Sequence, residues 1–117
     1  MGYESRIYVM NRMENKESGY VGACEIAQFE MCKMGYDSGF YELFTMPIDF
    51  DLVVVDDFTR EDCYGDHCKS ASVETVAAWL REELKRSDYR RLKPLLGFLE
   101  AIDEEQWNDI RVVHFGC

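Results

Sequence analysis

Proline and histidine are scarce in this chain, with two of each in 117 residues, and basic residues are outnumbered by acidic ones, 13 against 23. Two prolines, Pro47 and Pro94, leave no proline-rich linker, and no repeat or low-complexity stretch divides the sequence, so a single domain over residues 1–117 is expected. No apolar run approaches the roughly 20 residues that span a bilayer, and the opening residues carry no basic flank followed by an apolar core. The expectation is a cytoplasmic protein. Five cysteines, Cys24, Cys32, Cys63, Cys68 and Cys117, are an odd number without the dense framework of a small secreted domain, so reduced thiols are expected. Cys24 and Cys32, in an apolar segment, read as small buried hydrophobes.

What the chain has in abundance is negative charge and aromatic bulk. The formal net charge is −10, and 47% of the residues are hydrophobic, including seven Phe, seven Tyr and two Trp. Such a composition folds, and its charge repels nucleic acid and anionic membranes while favouring partners that present Lys and Arg. The surplus is concentrated: Asp49, Asp51, Asp56, Asp57, Glu61, Asp62 and Asp66 fall within 18 residues that hold one basic side chain, Arg60. A solvated, solubilising face is the plain alternative. Lys85, Arg86, Arg90, Arg91 and Lys93 form a basic run that makes the molecule dipolar, and that run is too short to argue for DNA binding.

Patterning predicts an α+β domain: a mostly antiparallel sheet of about four strands with two C-terminal helices packed on one face. Residues 6–10 are β-branched and aromatic and read as a strand. Residues 20–34 read as a second, long strand, with Val21, Ala23, Ala27, Phe29 and Met31 on one parity and residues 11–18 as the hairpin loop. In the irregular stretch that follows, Phe40, Tyr41, Leu43 and Phe44 are expected core residues. Residues 52–55 form a short apolar run bounded by acids, the pattern of a buried central strand. Ser72 caps an expected helix over 73–85, with Val73, Val76, Ala77, Leu80 and Leu84 on one face and Glu82 and Arg86 paired. A second helix starts near Lys93, with Pro94 in its first turn and Leu95, Leu96, Leu99 and Ile102 as its stripe. Residues 110–115 close the sheet.

Three constellations bear on chemistry. Cys63, His67 and Cys68 are zinc-type ligands within six residues, lacking a fourth that His114 or Cys117 would have to supply, and an ordinary turn around Gly65 competes with this reading. A thiol nucleophile, Cys63 or Cys68 with His67 or His114, needs a base and an oxyanion hole that the sequence does not display; no catalytic residue is assigned and a non-enzyme is expected. The acidic stretch is the third, with carboxylates at a density comparable to phosphates along a duplex.

The opening Met-Gly-Tyr-Glu-Ser-Arg-Ile-Tyr-Val, the segment from Ile26 to Gly35, the Tyr-Gly-Asp at 64–66 and the closing Val-Val-His-Phe-Gly resemble a group of small acidic proteins carried by phages and prophages of Gram-positive bacteria. Cys63, His67 and Cys68 depart from the usual sequence of that group. The resemblance covers most of the chain and implies a host-takeover or counter-defence role, of which anti-CRISPR proteins are the best-known class. The expectation is an inhibitor, monomeric or homodimeric and without cofactor, that places Asp49, Asp51, Asp56, Asp57, Glu61, Asp62 and Asp66 on the basic nucleic-acid-binding surface of a host enzyme, a type II CRISPR nuclease above all. A small structural zinc protein and a phage assembly adaptor are the alternatives.

Overall fold

The computed structural model describes residues 5–31, 39–54, 57–62, 65–86, 91–102, 106–107 and 109–116. Its order is β1 (Ser5–Glu14), β2 (Val21–Glu30), a short 3-10 turn (Tyr41–Leu43), β3 (Met46–Pro47), β4 (Leu52–Val54), β5 (Asp57–Thr59), β6 (Lys69–Ala71), α1 (Val73–Glu83), α2 (Leu92–Ala101) and β7 (Ile110–Gly116). The main sheet has five strands in the order β2-β1-β7-β6-β3, every pairing antiparallel, and β4 and β5 form a separate two-stranded ribbon. The class is the α+β expected.

The middle of β1 reads Ile-Tyr-Val-Met, apolar at every position, so there the strand is buried on both faces. Ile7 and Val9, with Val112 of β7, face the helices and meet Val76, Leu80, Leu92, Leu95 and Leu99. Tyr8 and Met10, with Val113 and Phe115, face the other way and are covered by Ile48, Phe50, Leu52 and Cys68. Each of these large side chains contributes about 1.5–3 kcal/mol by leaving water. Phe40 and Phe44 are buried in the helix-side core, and Tyr41 and Leu43 pack partly against it.

Several expectations are corrected. Strand β1 continues to Glu14, because the polar residues after Met10 are held by the sheet: Arg12 donates its backbone N–H to the Asp109 carbonyl at 2.8 Å, and Asn11 Oδ1 accepts from the Asp109 backbone N–H. The hairpin loop is therefore shorter and runs over 15–20, closed by Asn15, whose side-chain Oδ1 accepts from the backbone N–H groups of Glu17 and Ser18. Within β2 the single parity fails. Val9 faces Ala27 and Met10 faces Glu25, so Ile26 is an extra residue in a β-bulge. The slip puts Val21 and Ala23 against one core and Ala27 and Phe29 against the other. Cys24 is exposed rather than buried, since it lies on the outermost strand, which among the described residues has a neighbour on one side only; Cys32 lies outside the described residues. Strand β4 is no central strand: the alternation of Ile48, Phe50 and Leu52 into the core turns Val53 outward, 53% exposed, on the ribbon.

Helix α1 begins at the Ser72 cap, whose Oγ accepts from the Thr75 N–H at 3.1 Å, and it ends at Glu83, two residues before the expected end. Near its end Glu82 pairs with Lys85 and Glu83 with Arg86, each three residues apart, instead of Glu82 with Arg86. Helix α2 carries Pro94 in its first turn, where the missing N–H has no helical acceptor to lose.

Candidate functional site

The segment 48–54 sets the site because its side chains alternate. Ile48, Phe50 and Leu52 anchor it to the sheet, and the intervening Asp49, Asp51 and Val53 face outward. Facing them, the bulge turns Val21, Ala23 and Glu25 of β2 to the same side. Between the two lies an open groove of about 970 Å³, lined by residues that include Tyr20, Glu25, Gln28, Asp49, Asp51, Val53, Phe58 and Arg60.

Two properties of this groove stand out. Tyr20 and Phe58 are 70% and 71% exposed, and with Val53 they are the apolar surface on its rim. Large exposed aromatics in a polar surround are a composition that binding faces share. The carboxylates are also held in place. Arg12 donates from Nε and Nη2 to the two oxygens of Asp49, and this bidentate pair keeps the Asp49 carboxyl below the usual carboxylate range. Arg60 Nε donates to Asp51 Oδ1 at 2.9 Å. Both carboxylates remain about half exposed, with lone pairs free for a further donor. Glu25 is exposed and has no ion pair among the described residues.

The remaining acids lie elsewhere. Asp57 is exposed on β5, its Oδ1 accepting the Phe58 N–H, and Glu61 is exposed in a one-residue bridge with His67. Asp62 and Asp66 close a tight turn: the Asp66 N–H donates to Asp62 Oδ1 at 3.1 Å, with Gly65 at φ +83° where a side chain would be strained. Those two acids line a second hollow of about 450 Å³, together with Tyr41, Phe44, His67, Cys68, Lys69 and His114. Asp56 falls outside the described residues. The structure thus divides the acidic stretch between two hollows and an exposed ribbon.

The second hollow holds the metal and thiol candidates. Cys63 lies outside the described residues, and so does Cys117. His67 is exposed while its neighbour Cys68 is buried in the core, and no group of three or more His, Cys, Asp or Glu among the described residues is placed to hold a metal ion. Burial, with the Asp62 charge, pushes the Cys68 thiol up to about 12, so it stays protonated at neutral pH. Burial lowers His114 to about 4, against the opposing pull of Asp62. Its Nε2 lies 2.9 Å from Ser5 Oγ, and its ring packs on Tyr41, centroids 4.5 Å apart. Ser5 is 2% exposed, so the serine lies buried beneath the ring, while His114 itself lines the hollow.

Sequence reasoning missed Tyr20, Glu25, Val53 and Phe58. A signal existed for Phe58, which stands alone in a polar stretch without apolar neighbours in the pattern of a core element. Comparison with known proteins returned no matching family model, no similar curated protein and no similar solved structure.

Proposed function

We propose that this chain is a non-enzymatic inhibitor that binds, through the groove between β2 and the β4–β5 ribbon, to a basic nucleic-acid-binding surface of a host defence enzyme. One observation carries the reading: Tyr20, Val53 and Phe58 stand exposed within a frame of carboxylates, Glu25, Asp49 and Asp51. An arginine or lysine side chain suits that frame, because its aliphatic stem covers the apolar surface, its charge meets the carboxylates, and a guanidinium stacks on an aromatic ring. Anchoring aromatics inside a polar rim supply affinity, and the overall charge of −10 speeds encounter with a basic partner. Surfaces that read nucleic acid are rich in such side chains. The likeness to phage and prophage proteins supplies the setting, in which the enzyme is a type II CRISPR nuclease and the blocked contact is the one that nucleates guide pairing.

The test is target-DNA cleavage by a purified guide-loaded type II nuclease titrated with this protein. Inhibition that weakens about tenfold or more in Tyr20→Ala/Phe58→Ala, and that fades at about 0.5 M salt, supports the proposal. Unchanged inhibition by the folded double variant removes the groove as the contact, and absence of binding to the nuclease removes the partner class.

A further inference from the structure

The two edges of the five-stranded sheet are unequal. One is β3, two residues long and ending in Pro47, which cannot donate to an added strand. The other is β2, ten residues long, and among the described residues no strand pairs with its outer side.

The phase of the β1–β2 ladder shows which backbone groups that edge presents. At one end the Met31 N–H donates to the Ser5 carbonyl, and at the other the Asn15 N–H donates to the Tyr20 carbonyl, each at 2.8 Å. Antiparallel pairing alternates from these points, so Gly22, Cys24, Ala27 and Phe29 bond to β1 while Val21, Ala23, Glu25, Gln28 and Glu30 turn their N–H and C=O groups outward. The far end of the edge is blunted. Arg91 Nη1 donates to the outward Glu30 carbonyl at 2.6 Å, and the bulge at Ile26 interrupts the regular spacing. What remains open is Val21 to Glu25, roughly 16 Å of strand, and it borders the groove that Tyr20, Val53 and Phe58 line.

We propose that the partner supplies an extended basic segment that adds as a strand to the outer edge of β2 at Val21, Ala23 and Glu25, laying alternate side chains into the adjoining groove. This rests on the groove reading above and specifies its mode. Strand addition uses backbone hydrogen bonds for affinity and pockets for alternate side chains for specificity. A basic occupant follows from charge. The open segment and groove offer Glu25, Asp49 and Asp51 against Arg60 and the Arg12 that holds Asp49, which leaves Glu25 as the unpaired charge among the described residues, and β2 itself carries Glu25 and Glu30 with no basic residue. A second copy pairing edge to edge would bring acids onto acids, on bodies already at −10 each.

The probe is an extended peptide of alternating lysine and valine, compared with the same peptide N-methylated on alternate amides, which keeps the charge and removes the strand-forming donors. Binding by titration and hydrogen exchange of the whole protein are read together. The expected result is slowed exchange at the Val21, Ala23 and Glu25 amides with the first peptide, and binding about tenfold or more weaker for the second. Ala23→Pro, which removes one outward donor without touching a bond to β1, weakens the first peptide in the same way, and the N-methylated peptide carries the same test on the unaltered protein if the proline variant fails to fold. Equal binding of the two peptides overturns strand addition and leaves the charged groove standing. Failure of both to bind overturns strand addition, and the groove reading falls with it only if Tyr20→Ala/Phe58→Ala also leaves nuclease inhibition unchanged. Slowed exchange at the same amides without peptide, rising with protein concentration, names a second copy as the occupant and overturns the proposal.

Discussion

Arg12 of β1 grips Asp49 with two side-chain donors, Nε to Oδ1 at 2.8 Å and Nη2 to Oδ2, and so ties the long hairpin to the segment that leads into the ribbon. The guanidinium is mostly covered while the carboxylate is about half exposed. The pair thus orients one wall of the groove against the other and gains modest stability.

The pair makes stability depend on acid. Asp49 has its carboxyl held below the usual range in the folded state, so its contribution is present above the unfolded value and is lost as pH falls through the folded one. Asp49→Asn is expected to cost about 1 kcal/mol near pH 7 and almost nothing once the wild-type carboxyl is protonated. Urea denaturation of both proteins at neutral and acidic pH checks this; an equal cost at both assigns the effect to something other than the charge pair.

His114 acts in the same direction for a different reason. Burial depresses it from 6.5 to about 4, so between those values the unfolded chain binds a proton that the folded chain does not. Stability therefore falls as pH drops from about 6.5 towards 4, by up to about 3 kcal/mol in total. His114→Gln removes that slope while leaving a polar group near Ser5 Oγ. NMR titration of the His114 ring reads the folded value directly, and an ordinary value near 6.5 refutes the assignment.

Much of this fold is legible in local pattern. The Ser72 cap with its Val73, Val76, Ala77 and Leu80 face, the Pro94 start and the β-branched strands at each end are signals carried by neighbouring residues, and the structure places elements there. The bulge at Ile26 was not legible, because a one-residue slip is set by the partner strand and not by β2 itself. The run 52–55 looked central since a short apolar stretch has the same pattern in a sheet interior and on a ribbon lying over one. For the site, the acids were found by composition, but their division between two hollows depends on a turn at Asp62 and Asp66 and on Arg12, 37 residues before Asp49. The aromatic half of the groove was missed for a related reason: Tyr20 comes from the β1–β2 loop and Phe58 from the β4–β5 ribbon, which only the tertiary fold brings together.

The thiols give a separate check on the same packing. Cys24 is exposed on β2 and Cys68 is buried beneath the segment 48–52 with its thiol pushed up to about 12. Alkylation near pH 8 followed by peptide mapping should therefore modify Cys24 within the dead time of exposed thiols, and Cys68 only as fast as the protein opens. Rapid labelling of Cys68 would show that Ile48, Phe50 and Leu52 do not seal that face of the sheet.

Two phenylalanines eight residues apart separate stability from binding. Phe50 is fully buried beneath the sheet and Phe58 is 71% exposed on the ribbon. Phe50→Ala empties a packed site and is expected to cost about 3–5 kcal/mol, a large share of what a domain of this size possesses. Phe58→Ala exposes less apolar surface to water than the native residue does and should change stability by less than about 0.5 kcal/mol. On the proposed function its effect falls instead on binding, where a partner's basic side chain would lose the ring it covers, and a loss of about tenfold or more in inhibition is expected from an unaltered fold. Thermal melting and the cleavage assay on the same two variants decide the matter. If Phe58→Ala melts with Phe50→Ala, the ribbon is part of the core, and the exposed ring is no binding surface.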